Sequence, residues 1–279
     1  TVGEVGSYSW PRLSSDGKRL AVAVGSLSQR DVWLYELPSG PFTRFTTQGT
    51  INDRPEWTPD GKAVLFRSNR GGRNALWTQP VDGSGVATPL FGLPDSQIDE
   101  GVLSPLDGAN LLVQRDRTGN AELSYRAMRG DTTLRRIEPG ASAYGGRFSP
   151  DGKWIVYTGT LSGGIEQVYV RSFPGLSNRA QVSLTGGGTP VWSADGKRIY
   201  YTNGEQLLAA TIGSTEPFTI TSRTVVLARV PSECAAAAMR SRSWSDIDMN
   251  SSSSRMSPPP SKLSVAALEA RRRDLNGAL

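Results

Sequence analysis

Short apolar runs recur along the chain, each directly after a polar turn. Leu20-Ala21-Val22-Ala23-Val24, Ala63-Val64-Leu65-Phe66, Leu111-Leu112-Val113, Trp154-Ile155-Val156-Tyr157 and Ile199-Tyr200-Tyr201 are apolar almost without alternation. A sheet with one wet face alternates apolar and polar positions, so these runs predict strands covered on both faces. Ahead of each run stands an Asp-Gly pair: Asp16-Gly17, Asp60-Gly61, Asp107-Gly108, Asp151-Gly152 and Asp195-Gly196, at spacings of 44, 47, 44 and 44 residues. Asp can bond the backbone ahead of it, and Gly accepts the positive φ that a hairpin turn demands. The ten residues are therefore read as repeat turns, structural in role.

Each repeat reads as four short strands. In the second these are Pro55 to Thr58, Ala63 to Ser68, Ala75 to Val81 and Val86 to Phe91. Four-stranded units at a period of 40 to 50 residues, covered on both faces, predict an all-β chain, a β-propeller of four-stranded antiparallel blades. Five blades are visible, at about 8–45, 53–91, 99–137, 144–184 and 188–228, with inner strands at 10–13, 55–58, 101–104, 146–149 and 190–193. Residues 1–230 contain no amphipathic helical stretch of the length a parallel α/β fold needs.

Residues 231–279 break the pattern. The stretch 231–261 carries ten Ser, a Ser tetrad and a Pro triplet with no periodicity, a composition expected to stay disordered. The chain begins at Thr1 without a leader and is expected to be a segment of something longer, so the five blades are expected to be part of a larger ring. In a truncated ring the first and last blades must either meet directly or expose apolar faces bearing Val22, Val24, Ile199 and Tyr201. No run of about 18 apolar residues occurs, so no transmembrane segment is expected in this chain.

Composition narrows the chemistry. Among 279 residues there is no His, which removes Ser-His-Asp and Cys-His nucleophiles, His-ligated metals and imidazole acid-base work. The single Cys234 lies in the Ser-rich segment and can make no internal disulfide. No nucleophile elbow or phosphate-cradling Gly-Lys loop is present, so no catalytic residue, cofactor or metal is assigned. Asp95, Asp99 and Glu100 cluster in "LPDSQIDEG", which reads as a solvated connection between blades or, alternatively, as a site for a cation or a basic partner.

The net charge of +5 is diluted over the chain, since residues 1–230 carry 24 Lys and Arg against 21 Asp and Glu. With the signs interspersed and no aromatic-basic stripe, nucleic acid is not expected as a partner. Arg67, Arg70 and Arg73 on one blade and Arg115 and Arg117 on the next fall in or beside second-to-third strand loops. They form the candidate binding face, for a protein or peptide partner and an acidic one in particular; a solubilising rim is the alternative. Trp10, Trp57, Phe148 and Trp192 recur ahead of the turns, and Trp33, Trp77, Tyr125 and Tyr169 in third strands, which reads as core between blades.

The phrases "PEWTPDGK" and "PVWSADGK", each followed by an apolar strand, resemble the repeat of TolB-like propellers. "QVYVRSFPG" and "QVSLTGGGTPVWSADGKRIYYTNGEQLLAATI" resemble most the propellers at the C-terminal end of bacterial membrane-bound Ser/Thr protein kinases and related regulators. The resemblance covers residues 8 to 230. It implies a non-catalytic, extracytoplasmic sensor or protein-interaction domain of a membrane-anchored kinase or regulator, in which the kinase would lie outside this chain. A free periplasmic scaffold and the gating propeller of a serine peptidase are the alternatives it leaves open.

Overall fold

The computed structural model describes residues 7–117, 120–160, 164–204 and 206–229, with Arg117 described in its backbone alone. Cys234 and the Ser-rich segment lie outside the described residues. Among the described residues every regular element is a strand. The fold is all-β, a propeller of five four-stranded antiparallel blades, each strand pairing with the next in sequence.

The first blade holds β1 (Tyr8–Leu13), β2 (Arg19–Gly25), β3 (Arg30–Glu36) and β4 (Phe42–Arg44); the second holds β5 (Asn52–Trp57), β6 (Ala63–Ser68), β7 (Ala75–Pro80) and β8 (Thr88–Phe91). The third holds β9 (Gln97–Leu103), β10 (Asn110–Arg117), β11 (Asn120–Ala127) and β12 (Arg135–Arg136). The fourth holds β13 (Ser142–Phe148), β14 (Trp154–Thr160), β15 (Gln167–Ser172) and β16 (Arg179–Gln181), and the fifth β17 (Gly188–Trp192), β18 (Arg198–Asn203), β19 (Gln206–Thr215) and β20 (Phe218–Leu227).

Two compact units make up the chain: Thr1–Asp116 with Ser124–Arg135, and Arg117–Leu123 with Arg136–Leu279. In the first unit the apolar second strand of the second blade is covered on both faces. Ala21, Val32 and Leu34 of the first blade pack on Val64 and Phe66 of the second, and Leu65 and Leu76 on the other face of that blade pack on Ile98, Leu111 and Val113 of the third. Gly101 of β9 lies so close to the second blade that an added Cβ would stand 2.3 Å from Leu76 Cδ1. In the second unit Trp154, Val156, Val168 and Val170 pack on Ile199, Tyr201 and Ala210. Ile199 and Tyr201 are thus buried inside this cluster, so these two of the four residues named for the end faces pack within the second unit instead.

The repeat turns are closed by one recurring device. Ser14 Oγ donates to Asp16 Oδ1 at 2.6 Å and accepts the Arg19 N–H at 2.9 Å, while Lys18 N–H bonds the same carboxylate at 3.0 Å. Thr58 with Asp60, Ser104 with Asp107, Ser149 with Asp151 and Ser193 with Asp195 repeat the Ser/Thr-to-Asp bond. Gly17, Gly61, Gly108, Gly152 and Gly196 follow at φ of 64° to 71°, which a side chain would resist. The Ser or Thr is therefore as much a part of the motif as the Asp-Gly.

First strands start two to four residues earlier than the sequence suggests, because each carries a bulge. In β5 the ladder runs Asn52↔Ser68 and Asp53↔Arg67, then resumes at Glu56↔Leu65. Pro55 has no N–H to give, so the bulge takes it out of the ladder and pairing continues beyond it. Matching register shifts occur in β1, β9, β13 and β17.

Candidate functional site

Among the described residues, three of the four non-glycine residues with positive φ stand at the first-strand bulges. Four residues before the turn Ser or Thr, the positions held by Trp10, Arg54, Gly145 and Thr189 all have φ between 50° and 63°. For the three that are not glycine this costs roughly 1–3 kcal/mol each, and Pro11, Pro55 and Pro190 follow them directly. Trp10 is therefore equivalent to Arg54, not to Trp57 as the recurrence of aromatics suggested. Leu13 fills the position that Trp57, Phe148 and Trp192 occupy in their own blades.

In the first unit the bulges and their neighbours gather four guanidinium groups and four carboxylates along β1, β5 and β9. Arg67 clasps Asp53 with two bonds of 2.7 Å, and its Nη1 reaches Asp99 Oδ1 at 3.2 Å. Arg30 Nη1 donates to the same Asp53 at 3.3 Å, and Asp53 is fully buried. Arg12 bonds Glu56 through Nε and approaches Glu100 at 3.5 Å, tying the first strands of three consecutive blades. The guanidinium groups of Arg54 and Arg30 each stand 5.2 Å from the Trp10 ring centroid.

Arg54 is 3% exposed, and its Nε and Nη1 have no hydrogen-bond partner among the described residues. Burial and the neighbouring Arg67 charge pull its pKa down, against Glu100, Asp99 and Asp53. Arg67 goes the other way. Burial lowers its pKa, but the charge of Asp53 and the bonds to it, with Asp99, outweigh that and raise it. Asp99 is pushed up by burial, partly offset by Arg54 and Arg67.

A second buried cluster lies in the second unit. Glu138 accepts the Tyr157 hydroxyl, Arg171 Nη1 at 2.7 Å and Arg179 Nη1 at 3.5 Å. Burial, followed by the Glu138 contact, raises the Tyr157 pKa well above that of a free phenol. Among the described residues no group of three or more His, Cys, Asp or Glu is placed to hold a metal ion.

Of the five arginines of the expected binding face, the four with described side chains do not share one exposed surface. Arg67 is on β6, buried and ion-paired, which corrects its reading as a loop cation. Arg70 is half-buried, its guanidinium 5.1 Å from the ring centroids of both Phe66 and Trp77, and bonds Ser68 Oγ at 3.1 Å. Arg115 sits inside β10, paired in register with Ile98, because that strand runs through the expected loop. Arg73 is exposed in the turn between β6 and β7. The Arg117 side chain lies outside the described residues.

Asp99 and Glu100 correct a second reading. They lie in β9 as buried members of the charge network, while Asp95 stays in the exposed connection. Arg12, Arg30, Asp53, Arg54 and Glu56 went unnoticed in the sequence. A signal was present in "NDRPEW" and "QIDEG", where charges stand at the head of strands that a propeller must bury.

Comparison with known proteins bears on this arrangement. Residues 2–105 match the TolB beta propeller domain. The fold is similar to that of a structure assigned as TolB from Agrobacterium tumefaciens, with a TM-score of 0.61 and 18% identity over 79% of this chain and 80% of that one. It is also similar to TolB from Acinetobacter baumannii, with a TM-score of 0.59 and 19% identity over 76% of this chain and 53% of that one. The chain is thus TolB-like in fold. The tricorn protease contains a similar region, with a TM-score of 0.58 and 18% identity over 79% of this chain but 23% of that one.

Among curated proteins, the uncharacterized peptidase YuxL of Bacillus subtilis (strain 168) is 24% identical over 201 residues, 56% of this chain and 30% of that protein. The uncharacterized protein Atu1656 of Agrobacterium fabrum is 35% identical over 77 residues, 28% of this chain and 26% of that protein. The chain thus spans less than a third of either relative.

Proposed function

We propose that this chain is a non-catalytic propeller that binds another protein or a peptide segment, serving as a scaffold or sensing module. The observation that carries the reading is the state of the carboxylates. Asp53, Glu56, Asp99 and Glu100 are held by guanidinium groups, and the five turn aspartates are held by their own Ser or Thr hydroxyls. A general acid or base has to exchange a proton with a substrate, which a carboxylate committed to a buried ion pair does poorly. The test is turnover of fluorogenic peptides by the purified chain. No turnover is expected; activity that follows the protein through purification and disappears in Glu100→Gln overturns the reading.

A second reading has one observation in its favour. The match to YuxL runs over 201 residues yet covers 30% of that protein, which suits a propeller attached to a peptidase domain elsewhere in a parent polypeptide. The kinase-linked reading rests on the resemblance of residues 167–175 and 181–212, and the extracytoplasmic reading on the TolB-like resemblance of residues 8–230. Antibodies raised against this chain separate the cases. A band well above 30.0 kDa, cofractionating with serine-hydrolase labelling, supports the peptidase parent. One that cofractionates with kinase activity, and is degraded by protease added to intact spheroplasts, supports the membrane-anchored regulator.

A further inference from the structure

Four of the five repeat turns are alike: Ser14-Ser15-Asp16-Gly17, Thr58-Pro59-Asp60-Gly61, Ser149-Pro150-Asp151-Gly152 and Ser193-Ala194-Asp195-Gly196. The third reads Ser104-Pro105-Leu106-Asp107-Gly108, with one residue more. That residue is Leu106, and it is 74% exposed. The turn closes as the others do, with Ser104 Oγ donating to Asp107 Oδ1 at 2.8 Å and Ala109 N–H reaching the same oxygen at 2.8 Å. The turn has no use for the leucine, and an exposed leucine keeps its apolar surface in water without return.

Asp107, the next residue, lines a cleft of about 610 Å³ whose apolar side is formed by Leu90, Leu103 and Met128. These three pack on the core cluster of the second and third blades, so the cleft floor is fixed by the fold. The volume lies inside the range of about 300–1,000 Å³ usual for ligand sites. Two charges stand on the rim. Asp107 is committed to its turn, and the Ala109 N–H followed by the Ser104 hydroxyl hold its pKa below the usual carboxylate range. Arg129 is exposed and has no ion-pair or hydrogen-bond partner among the described residues. An apolar floor and an uncommitted guanidinium therefore line one cleft of the first unit, and the exposed Leu106 directly precedes its lining residue Asp107.

We propose that this cleft docks a segment of a partner polypeptide that seats an apolar side chain against Leu90, Leu103 and Met128, packs on Leu106, and places a carboxylate on Arg129. The proposal rests on the protein-binding reading above and gives it a surface and a partner chemistry. Clefts of this kind take an anchor side chain, while a rim charge selects the sign of the neighbouring residue.

The test uses the chain with its Leu and Met methyl groups isotopically labelled, titrated by NMR with N-acetyl-leucine, which carries one isobutyl group and one carboxylate. N-acetyl-leucinamide, which lacks the charge, is the control. Saturable shifts are expected at the Leu90, Leu103, Leu106 and Met128 methyls, with a dissociation constant in the millimolar range for so small a ligand. The amide should bind up to about fivefold more weakly, the scale of one exposed ion pair. Arg129→Glu should abolish that difference without moving the thermal midpoint, and Leu106→Ser should weaken both ligands. Equal binding of acid and amide overturns the carboxylate assignment. Shifts that appear with protein concentration alone make a second copy of the chain the occupant and overturn the proposal. Absence of shifts at these methyls removes the surface while leaving the scaffold reading in place, since that reading falls to the turnover assay instead.

Discussion

Trp57 donates its indole N–H to the backbone carbonyl of Arg12, 2.9 Å away, one blade earlier and 45 residues back along the chain. In the second unit Trp192 does the same to Arg147 at 3.2 Å, again across 45 residues. The bond ties the end of one first strand to the bulge-bearing first strand before it, so the tryptophan of the repeat phrase registers neighbouring blades as well as filling space between them. Arg19 lies over the Trp57 ring at 4.8 Å and bonds the Gly61 carbonyl at 2.8 Å, reinforcing the same junction.

Trp57→Phe keeps the apolar ring and removes the N–H. A net hydrogen bond is worth about 0.5–1.5 kcal/mol and the cation over the ring about 0.5–1 kcal/mol more. Urea unfolding is expected to register a loss of roughly 1–2 kcal/mol, and Trp192→Phe a loss nearer the hydrogen bond alone. A variant as stable as the parent would leave the junction to packing.

Acid should loosen the turns. Hydrogen bonds from Ser14, Thr58 and Ser193, and from the backbone N–H groups two residues on, hold Asp16, Asp60 and Asp195 below the ordinary carboxylate pKa, as Asp107 is held by Ala109 and Ser104. A depressed folded-state pKa stabilises the fold at every pH above the unfolded value of about 3.9, and that share disappears as pH falls through the lower folded values. The urea midpoint is therefore expected to drop as pH falls below about 4. A variant carrying Asn at positions 16, 60, 107 and 195 should start lower and drop less. Asp99, pushed up by burial, works in the opposite sense: protonating it at low pH favours the folded state. Equal slopes for parent and variant would show that other carboxylates govern acid unfolding.

Gly101 permits the close approach of the second and third blades. Gly101→Ala drives its Cβ into Leu76, which is 1% exposed and has little room to move. A loss of about 1–3 kcal/mol is expected from overpacking. Leu76→Ala should cost about 2–5 kcal/mol alone, but the double variant should be more stable than the sum of the two losses predicts, because the cavity receives the added methyl. Additive losses would mean that the two residues do not meet.

The repeat made the fold legible. The Asp-Gly period gave the blades, and unbroken apolar runs such as Trp154 to Tyr157 gave strands covered on both faces, because both signals come from local turn chemistry and from burial. The charge network did not show itself, since it depends on which strands become neighbours. Arg67 and Asp53 are 14 residues apart and meet through the bulged register of one hairpin, while Arg12 and Glu100 are 88 apart and meet only through the order of the blades. Arg70 misled for a related reason, as its rings, Phe66 and Trp77, stand on two different strands. The bulges escaped notice because a residue with positive φ ahead of proline has no compositional mark unless it is glycine.

The claim on which the functional reading turns is that the charges at the head of the first strands hold the blades together and are not free for chemistry. Asp53→Ala tests it most directly, because it removes an acceptor that Arg30 and Arg67 share and leaves both buried guanidinium groups short of a carboxylate. Breaking one side of a buried pair costs about 3–5 kcal/mol. Equilibrium urea unfolding of this variant is predicted to show a loss of that size. Stability equal to the parent's would contradict the account and reopen Asp53, Asp99 and Glu100 as groups kept for a ligand or a reaction.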